Sequence, residues 1–405
     1  MKKQLAVLFY CVTGCILQNT YVQAQQSKIN VFSIDQQVVA KNKNRIASNN
    51  SSILPAYKQL LKEAAIALHF APVNVMEKTA IPPSGNKHDY MSLAPYYWPD
   101  STKANGLPYI RKDGETNPEV KKYKDKENLP KLCENIYTLS LANYFSNDSR
   151  YASHAITLLN VWFLDTATKM NPNLNFGQAM KGHNDGRGAG LIDTRHLIKV
   201  IDGIGLLKQS GKLSQEKYQG LQNWFSQFLV WMQTSSNGKD EFNAKNNHGM
   251  WYDAQRLSFA LFTGQTNLAN AIITNAQKRL DEQMDNDGKF PAELARTNSL
   301  HYSLFVLEPL IKIAVMSKSL DRDLINYESI SGKSIKKGFE AHYPYMANEK
   351  KWPGQQISQF DFEEAVPLLA FGEILFNCQR CGQVIKKIHP DKTENLRLKL
   401  ITTNN

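Results

Sequence analysis

Lys245-Asn246-Asn247-His248-Gly249-Met250-Trp251-Tyr252 sets two amides and an imidazole side by side, just ahead of an apolar helical pattern. Trp251, Ala254, Leu257, Ser258 and Leu261 recur at three- and four-residue intervals, the spacing of one helix face. Few cores need that polar combination at a helix head. Taken alone, Asn247 reads as the cap whose side-chain oxygen satisfies a first-turn N–H, with His248 packed behind it. Its role beyond a cap depends on its surroundings.

The same periodicity extends in both directions. A helix over 53–69 aligns Leu60, Leu61, Ala64, Ala65 and Leu68. Leu132, Ile136, Leu139 and Ala142 make a second stripe, and Ala155, Leu158, Leu159 and Trp162 a third. Asp193 or Thr194 heads a helix carrying Leu197, Ile201, Ile204 and Leu207. Further helices are expected over 214–234, 267–285, 299–318 and 362–377. Strand-like alternation is scarce. The connections at 70–118, 171–192, 235–249 and 286–298 are long, polar and rich in Gly, Asn or aromatics. Long irregular segments inside a compact domain usually carry function. An all-α array of hairpins without a short repeat is a solenoid or a closed (α/α) toroid, here an incomplete barrel of about six to seven hairpins. In a toroid the long loops gather at one end and form a cleft. One domain over 53–405 is expected, preceded by a polar segment at 25–52.

The first residues read as an export signal. Lys2 and Lys3 precede a mostly apolar run at 5–17, and Val22-Gln23-Ala24 offers a small-x-small cleavage site before Gln25. The run is too short to span a membrane, and no other stretch reads as a span. Val12-Thr13-Gly14-Cys15 also resembles a lipobox, which would lipidate Cys15 instead. The expectation is a periplasmic or secreted monomer. The chain carries a net charge of +11, and loss of residues 1–24 removes two lysines and no acid, leaving +9. Basic proteins attract polyanions, and export points to an acidic polysaccharide rather than nucleic acid. Of five cysteines, Cys133, Cys378 and Cys381 lie beyond the signal. Cys378-Gln379-Arg380-Cys381 lacks the second pair or histidines of a zinc site. A local disulfide or two plain thiols fits it better.

Chemistry concentrates in the loops. Arg296 and Tyr302, six apart in Glu293-Leu294-Ala295-Arg296-Thr297-Asn298-Ser299-Leu300-His301-Tyr302, offer a guanidinium and a phenol. Gly182-His183-Asn184-Asp185-Gly186-Arg187-Gly188 and the nearby Gln178 put polar side chains on a glycine-rich backbone. Tyr96-Tyr97-Trp98-Pro99 supplies aromatic platforms suited to sugar faces.

Taken in order, 88–100, Gly106-Leu107-Pro108-Tyr109-Ile110-Arg111, Met170-Asn171-Pro172-Asn173-Leu174-Asn175, Ile192-Asp193-Thr194-Arg195 and Asn246-Asn247-His248-Gly249 resemble the alginate lyase superfamily of (α/α) toroid polysaccharide lyases. The match covers roughly 55–375 and is similar to the single-domain lyases of polysaccharide-degrading Bacteroidetes. The resemblance implies β-elimination at a 4-linked uronate, alginate first and glucuronan as the alternative. It places the catalytic set on Asn247, His248, Arg296 and Tyr302, and substrate contacts on His183, Gln178, Arg187, Tyr97, Trp98 and Asn246. Neither metal nor cofactor is required. Two rivals remain: a glycoside hydrolase, which needs two carboxyl groups flanking the bond and has Asp193, Asp253, Glu293 and Glu364 to draw on, and a polysaccharide-binding protein without catalysis.

Overall fold

The computed structural model describes residues 30–390 and 397–402. The signal, the 1–24 cleavage site, Cys11 and Cys15 lie outside the described residues. Fifteen α-helices are described: α1 Gln36–Ala47, α2 Leu54–Ala67, α3 Lys124–Ser146, α4 Ser149–Leu159, α5 Leu197–Gln209, α6 Gln215–Thr234, α7 Ser236–Phe242, α8 Asn247–Phe262, α9 Thr266–Gln283, α10 Pro291–Leu294, α11 Ser299–Ser317, α12 Ile335–Met346, α13 Val366–Leu375, α14 Cys381–Ile388 and α15 Lys399–Thr402.

Two kinds of helix alternate along the chain. In α8 every residue from Gly249 to Ala260 is buried, and α5 and α11 are covered nearly all round. A helix apolar on all sides belongs inside a fold. In α9 only Ala269, Ile272, Ile273, Ala276, Arg279, Leu280 and Gln283 are buried, a single stripe at helical spacing, so its other face meets solvent. The covered helices α3, α5, α8, α11 and α13 touch in that order, and each is followed by an outer partner: α4, α6, α9, α12 and α14. That gives five pairs, six with α1 and α2. Helix α15 bridges α2 and α13, and α1 touches both α3 and α15, so the two ends of the row meet. The architecture is the (α/α) toroid expected from the sequence.

Loop length follows from this alternation. The turn from inner α3 to outer α4 passes through Asn147, at φ 61°, and that from α8 to α9 through Gly264, at φ 73°. Left-handed residues end a helix abruptly and let the chain reverse. The return paths to α3, α5, α8, α11 and α13 are long, so the long loops and the N-termini of the inner helices share one end of the ring. Short strands pin these loops. β1 (Met91–Leu93) runs parallel to β4 (Phe176–Ala179), and β2 (Tyr97–Trp98) antiparallel to β3 (Ile110–Arg111).

Most aromatics serve the core. Phe163, Trp224, Phe225, Phe228 and Phe259 form a continuous cluster between α6 and α8. Several local features depart from the sequence reading. The polar 25–52 stretch contributes α1, whose Val38, Val39 and Ile46 are buried. Helix α12 was not expected, because Pro344 and its aromatic neighbours interrupt the pattern that marks a helix. Ser334 caps it, and Pro344 falls in its last turn. Ser299–Leu320 is long and apolar enough to cross a membrane, contrary to expectation, yet 78% of its apolar window is buried inside the ring. Cys378 and Cys381 are joined in a disulfide, and Cys133 is a buried free thiol.

Candidate active site

The head of α8 divides the work of its polar residues differently from the sequence reading. Asn246, not Asn247, is the cap: its side chain accepts from the His248 N–H at 3.2 Å. Asn247 is free for something else. It is 1% exposed, and its amide Nδ2 donates to both carboxylate oxygens of Glu293, at 3.0 and 2.9 Å. Its backbone N–H reaches the same carboxylate at 2.6 Å. Glu293 sits on α10 in the loop before α11. Burial holds its pKa above the ordinary carboxylate value, with the Asn247 contacts opposing that shift. His248 faces Glu241 of α7, Nδ1 to Oε1 at 2.7 Å, and Glu241 is itself 3% exposed. The His248 Nε2 has no hydrogen-bond partner among the described residues.

The head of α11 supplies the phenol. Tyr302 is 7% exposed, and its hydroxyl meets the Tyr96 hydroxyl at 2.6 Å. Burial pushes its pKa well above the ordinary phenol range, Tyr96 adds to this, and the nearby guanidinium of Arg296 opposes it. Arg296 lies over the ring, 3.6 Å from its centroid. The sequence pair Arg296–Tyr302 is therefore a direct contact. Arg296 is also tied down from the first long loop, since Asp113 accepts from its Nε at 3.0 Å and its Nη2 at 2.7 Å. Asp113 further accepts from the Thr297 N–H and pairs with Arg111. Burial alone would raise the Asp113 pKa, but Arg296 holds it far below the ordinary carboxylate range. The Arg296 Nη1 has no hydrogen-bond partner among the described residues.

The expected substrate contacts separate into supports and free groups. Gln178, in a left-handed backbone conformation at φ 50°, is buried. Its Nε2 donates to Asp193 at 3.0 Å, and its Oε1 accepts from the Arg187 Nη2 at 2.8 Å. It thus holds Arg187 and links it to Asp193. Arg187 lies over the Tyr97 ring at 5.3 Å, has a buried Nε without a partner, and forms no ion pair among the described residues. Desolvation lowers its pKa, with Tyr97 and Glu241 acting against that. His183 packs edge-on against Tyr97 and bonds the Tyr109 carbonyl at 2.8 Å. Trp98 is half-buried in β2, its indole donating to the Glu115 carbonyl at 2.9 Å. Asn246 uses its side-chain oxygen on the cap, and its Nδ2 has no hydrogen-bond partner among the described residues.

The four carboxylates that a hydrolase would draw on are all engaged elsewhere. Asp193 accepts from Ser92, Gln178 and Tyr90 and pairs with Lys126. Asp253 is paired with Arg279 and Asn275, Glu293 with Asn247, and Glu364 with His301. No two of them face each other as a free pair. Among the described residues no group of three or more His, Cys, Asp or Glu is placed to hold a metal ion. Three residues of this arrangement escaped the sequence reading in their actual roles: Asp113, Glu241 and Glu293. Asp113 lies in a turn and Glu293 on a short helix, with partners 183 and 46 residues away, whereas Glu241 sits on α7 only seven residues before His248.

A helical ring with an amide, an imidazole and a buried phenol at the heads of its inner helices is the frame of a polysaccharide lyase. The chain belongs to the alginate lyase family, whose model, described as "Alginate lyase", matches residues 74–352. No curated protein matches the chain. An alginate lyase from Bacteroides ovatus is 39% identical, with a TM-score of 0.87 over 93% of this chain and 100% of that one. Alginate lyase A1-III, as a histidine variant complexed with a tetrasaccharide, is 15% identical with a TM-score of 0.57, covering 95% and 98% of the two chains. A1-III from Sphingomonas species A1 is 14% identical with a TM-score of 0.52, covering 87% and 96%. These last two likenesses bear on the fold alone.

Proposed function

We propose that this protein cleaves alginate by β-elimination, with His248 as base, Tyr302 as acid, and Asn247 and Arg187 as carboxylate contacts. One observation carries the reading: a free imidazole nitrogen and a protonated, buried phenol head two adjacent inner helices, α8 and α11. The C5 hydrogen of a uronate is weakly acidic, because its loss loads charge onto an existing carboxylate. Fixed donors that neutralise this charge as it builds are often the largest catalytic contribution. Asn247 has one to give. The two oxygens of Glu293 subtend a far narrower angle than the two hydrogens of an amide, so one N–H serves both and the other is left over. Arg187, without a carboxylate of its own, is a second donor, and the Arg296 Nη1 a third.

The base takes the C5 proton, the C–H electrons become the C4–C5 double bond, and the C4–O4 bond breaks. Its raised pKa suits Tyr302 to donating a proton to O4 rather than to accepting one. Arg296 over its ring steadies the phenolate that remains. Proton removal and donation occur on opposite sides of a guluronate ring and on the same side of a mannuronate ring. Two separate groups therefore suit guluronate, while Tyr302 acting twice suits mannuronate. We also propose that the protein is exported after cleavage near Ala24 and works as a monomer on its polyanionic substrate, as its signal-like N-terminus and basic charge suggest.

The test is a panel of mannuronate-rich alginate, guluronate-rich alginate and glucuronan, read by the ultraviolet absorbance of the conjugated product. Alginate should give rising absorbance. New reducing ends without absorbance would indicate hydrolysis and overturn the proposal.

A further inference from the structure

We propose that Glu241 is a positioning residue for the elimination, holding His248 as the Nδ1–H tautomer with Nε2 left bare for the C5 proton. The inference rests on the reading of His248 as base. An ionised carboxylate only accepts hydrogen bonds, so the imidazole nitrogen facing it must carry the hydrogen. At 2.7 Å Glu241 faces Nδ1, which makes Nε2 the lone-pair nitrogen of the neutral ring. His248 is the only hydrogen-bond partner of the Glu241 carboxylate among the described residues.

The surrounding backbone is built to deliver this carboxylate. Helix α7 belongs to neither the inner nor the outer ring and sits within the α6–α8 connection. Ser235 caps it, accepting from the Gly238 N–H at 3.0 Å. A Cβ at Gly238 would lie 1.7 Å from the Met232 carbonyl oxygen, so α7 runs closer to the end of α6 than any other residue allows. That approach places Glu241, one turn on, beneath His248. When Nε2 takes the C5 proton, the imidazolium formed lies against a buried negative charge. Tyr302 gives its own proton to O4, and solvent restores both groups once product leaves.

The experiment compares Glu241→Gln, Glu241→Ala, His248→Ala and the double variant Glu241→Ala/His248→Ala on alginate, with melting temperatures recorded alongside. Glu241→Gln keeps the side-chain shape, but its amide can donate to a bare Nδ1 and so favours the wrong tautomer. Both single Glu241 variants should lower kcat by about a hundredfold or more and leave KM within about twofold. Nitrogen-15 spectra of the His248 ring should show Nδ1–H in the wild type and a shift towards Nε2–H in Glu241→Gln. The double variant should be no slower than His248→Ala, because a residue acting only through His248 has nothing further to lose. Wild-type kcat in the Glu241 variants beside an inactive His248→Ala would overturn the inference alone. So would a Glu241→Ala loss that multiplies with that of His248→Ala, which would mark a fold-support role. Full activity in His248→Ala would overturn the reading of His248 as base and this inference together.

Discussion

Replacing Tyr302 by Phe removes one oxygen from the centre of the proposed mechanism and changes little else. Among the described residues the lost hydroxyl makes a single hydrogen bond, 2.6 Å to Tyr96, and Tyr96 is partly exposed, so water can take its place. A hydrogen bond of this kind contributes about 1 kcal/mol net. The phenyl face that Arg296 covers at 3.6 Å is retained, and so is the Asp113 clamp on the guanidinium. The melting temperature should fall by only a few degrees. Catalysis should respond on another scale. A positioned general acid contributes about 100- to 10,000-fold, equivalent to about 3–5 kcal/mol of barrier. The assay is the initial rate of ultraviolet absorbance on alginate, with KM measured over the same substrate range. The expected outcome is that kcat falls by at least a hundredfold while KM changes little, because the carboxylate contacts are untouched. Tyr96→Phe is the control, since it removes the same hydrogen bond but leaves the acid. A Tyr302→Phe enzyme within tenfold of wild type, with an intact fold, would refute the assignment of Tyr302.

Asp113→Asn should lower the melting temperature at neutral pH by weakening the hold on Arg296, at a cost of about 1–3 kcal/mol. Its folded pKa is depressed, so its stabilisation is complete above the ordinary aspartate value and is lost as pH falls below it. The melting-temperature gap between wild type and variant should therefore narrow below about pH 4, and calorimetry from pH 7 to pH 3 checks this. A gap that stays constant with pH would count against the charge-based account. Glu293→Gln should set an amide N–H against the Asn247 Nδ2, leaving one buried donor unpaired at about 1–3 kcal/mol. The expected result is a lower melting temperature together with a raised KM as Asn247 loses its orientation, measured by calorimetry and alginate kinetics.

Much of this was legible in the sequence, for identifiable reasons. Inner helices such as α8 and α11 advertise themselves because burial demands apolar residues at helical spacing. Asn247-His248 and Arg296–Tyr302 were readable because each pair is close in sequence. The acids that orient them were not. Asp113 reaches Arg296 across 183 residues, and Glu293 reaches Asn247 across 46. Nothing local distinguishes either from a solvated acid. Glu293 was noticed as a possible hydrolytic carboxyl, but only the structure shows it bound to an amide. The identity of the cap failed for a related reason: Asn246 and Asn247 are chemically identical, and only backbone conformation decides which one turns to the helix.

The meeting of the two ends of the helix row, through α1, α2 and α15, gives the protein a property that an open stack of hairpins lacks. Arg397 pairs with Glu63 of α2 at 2.9 Å and also with Glu134 of α3, and desolvation is outweighed there by the two acids, which raise its pKa. In an open array each hairpin depends on its neighbours alone, and stability accumulates unit by unit. Joined end to end, the hairpins have no terminal unit to fray, and damage at the seam is felt by the whole circle. Helix α11, whose head carries Tyr302, touches α13, and α13 touches α15 at that joint, so the seam lies one helix away from the wall that holds the phenol.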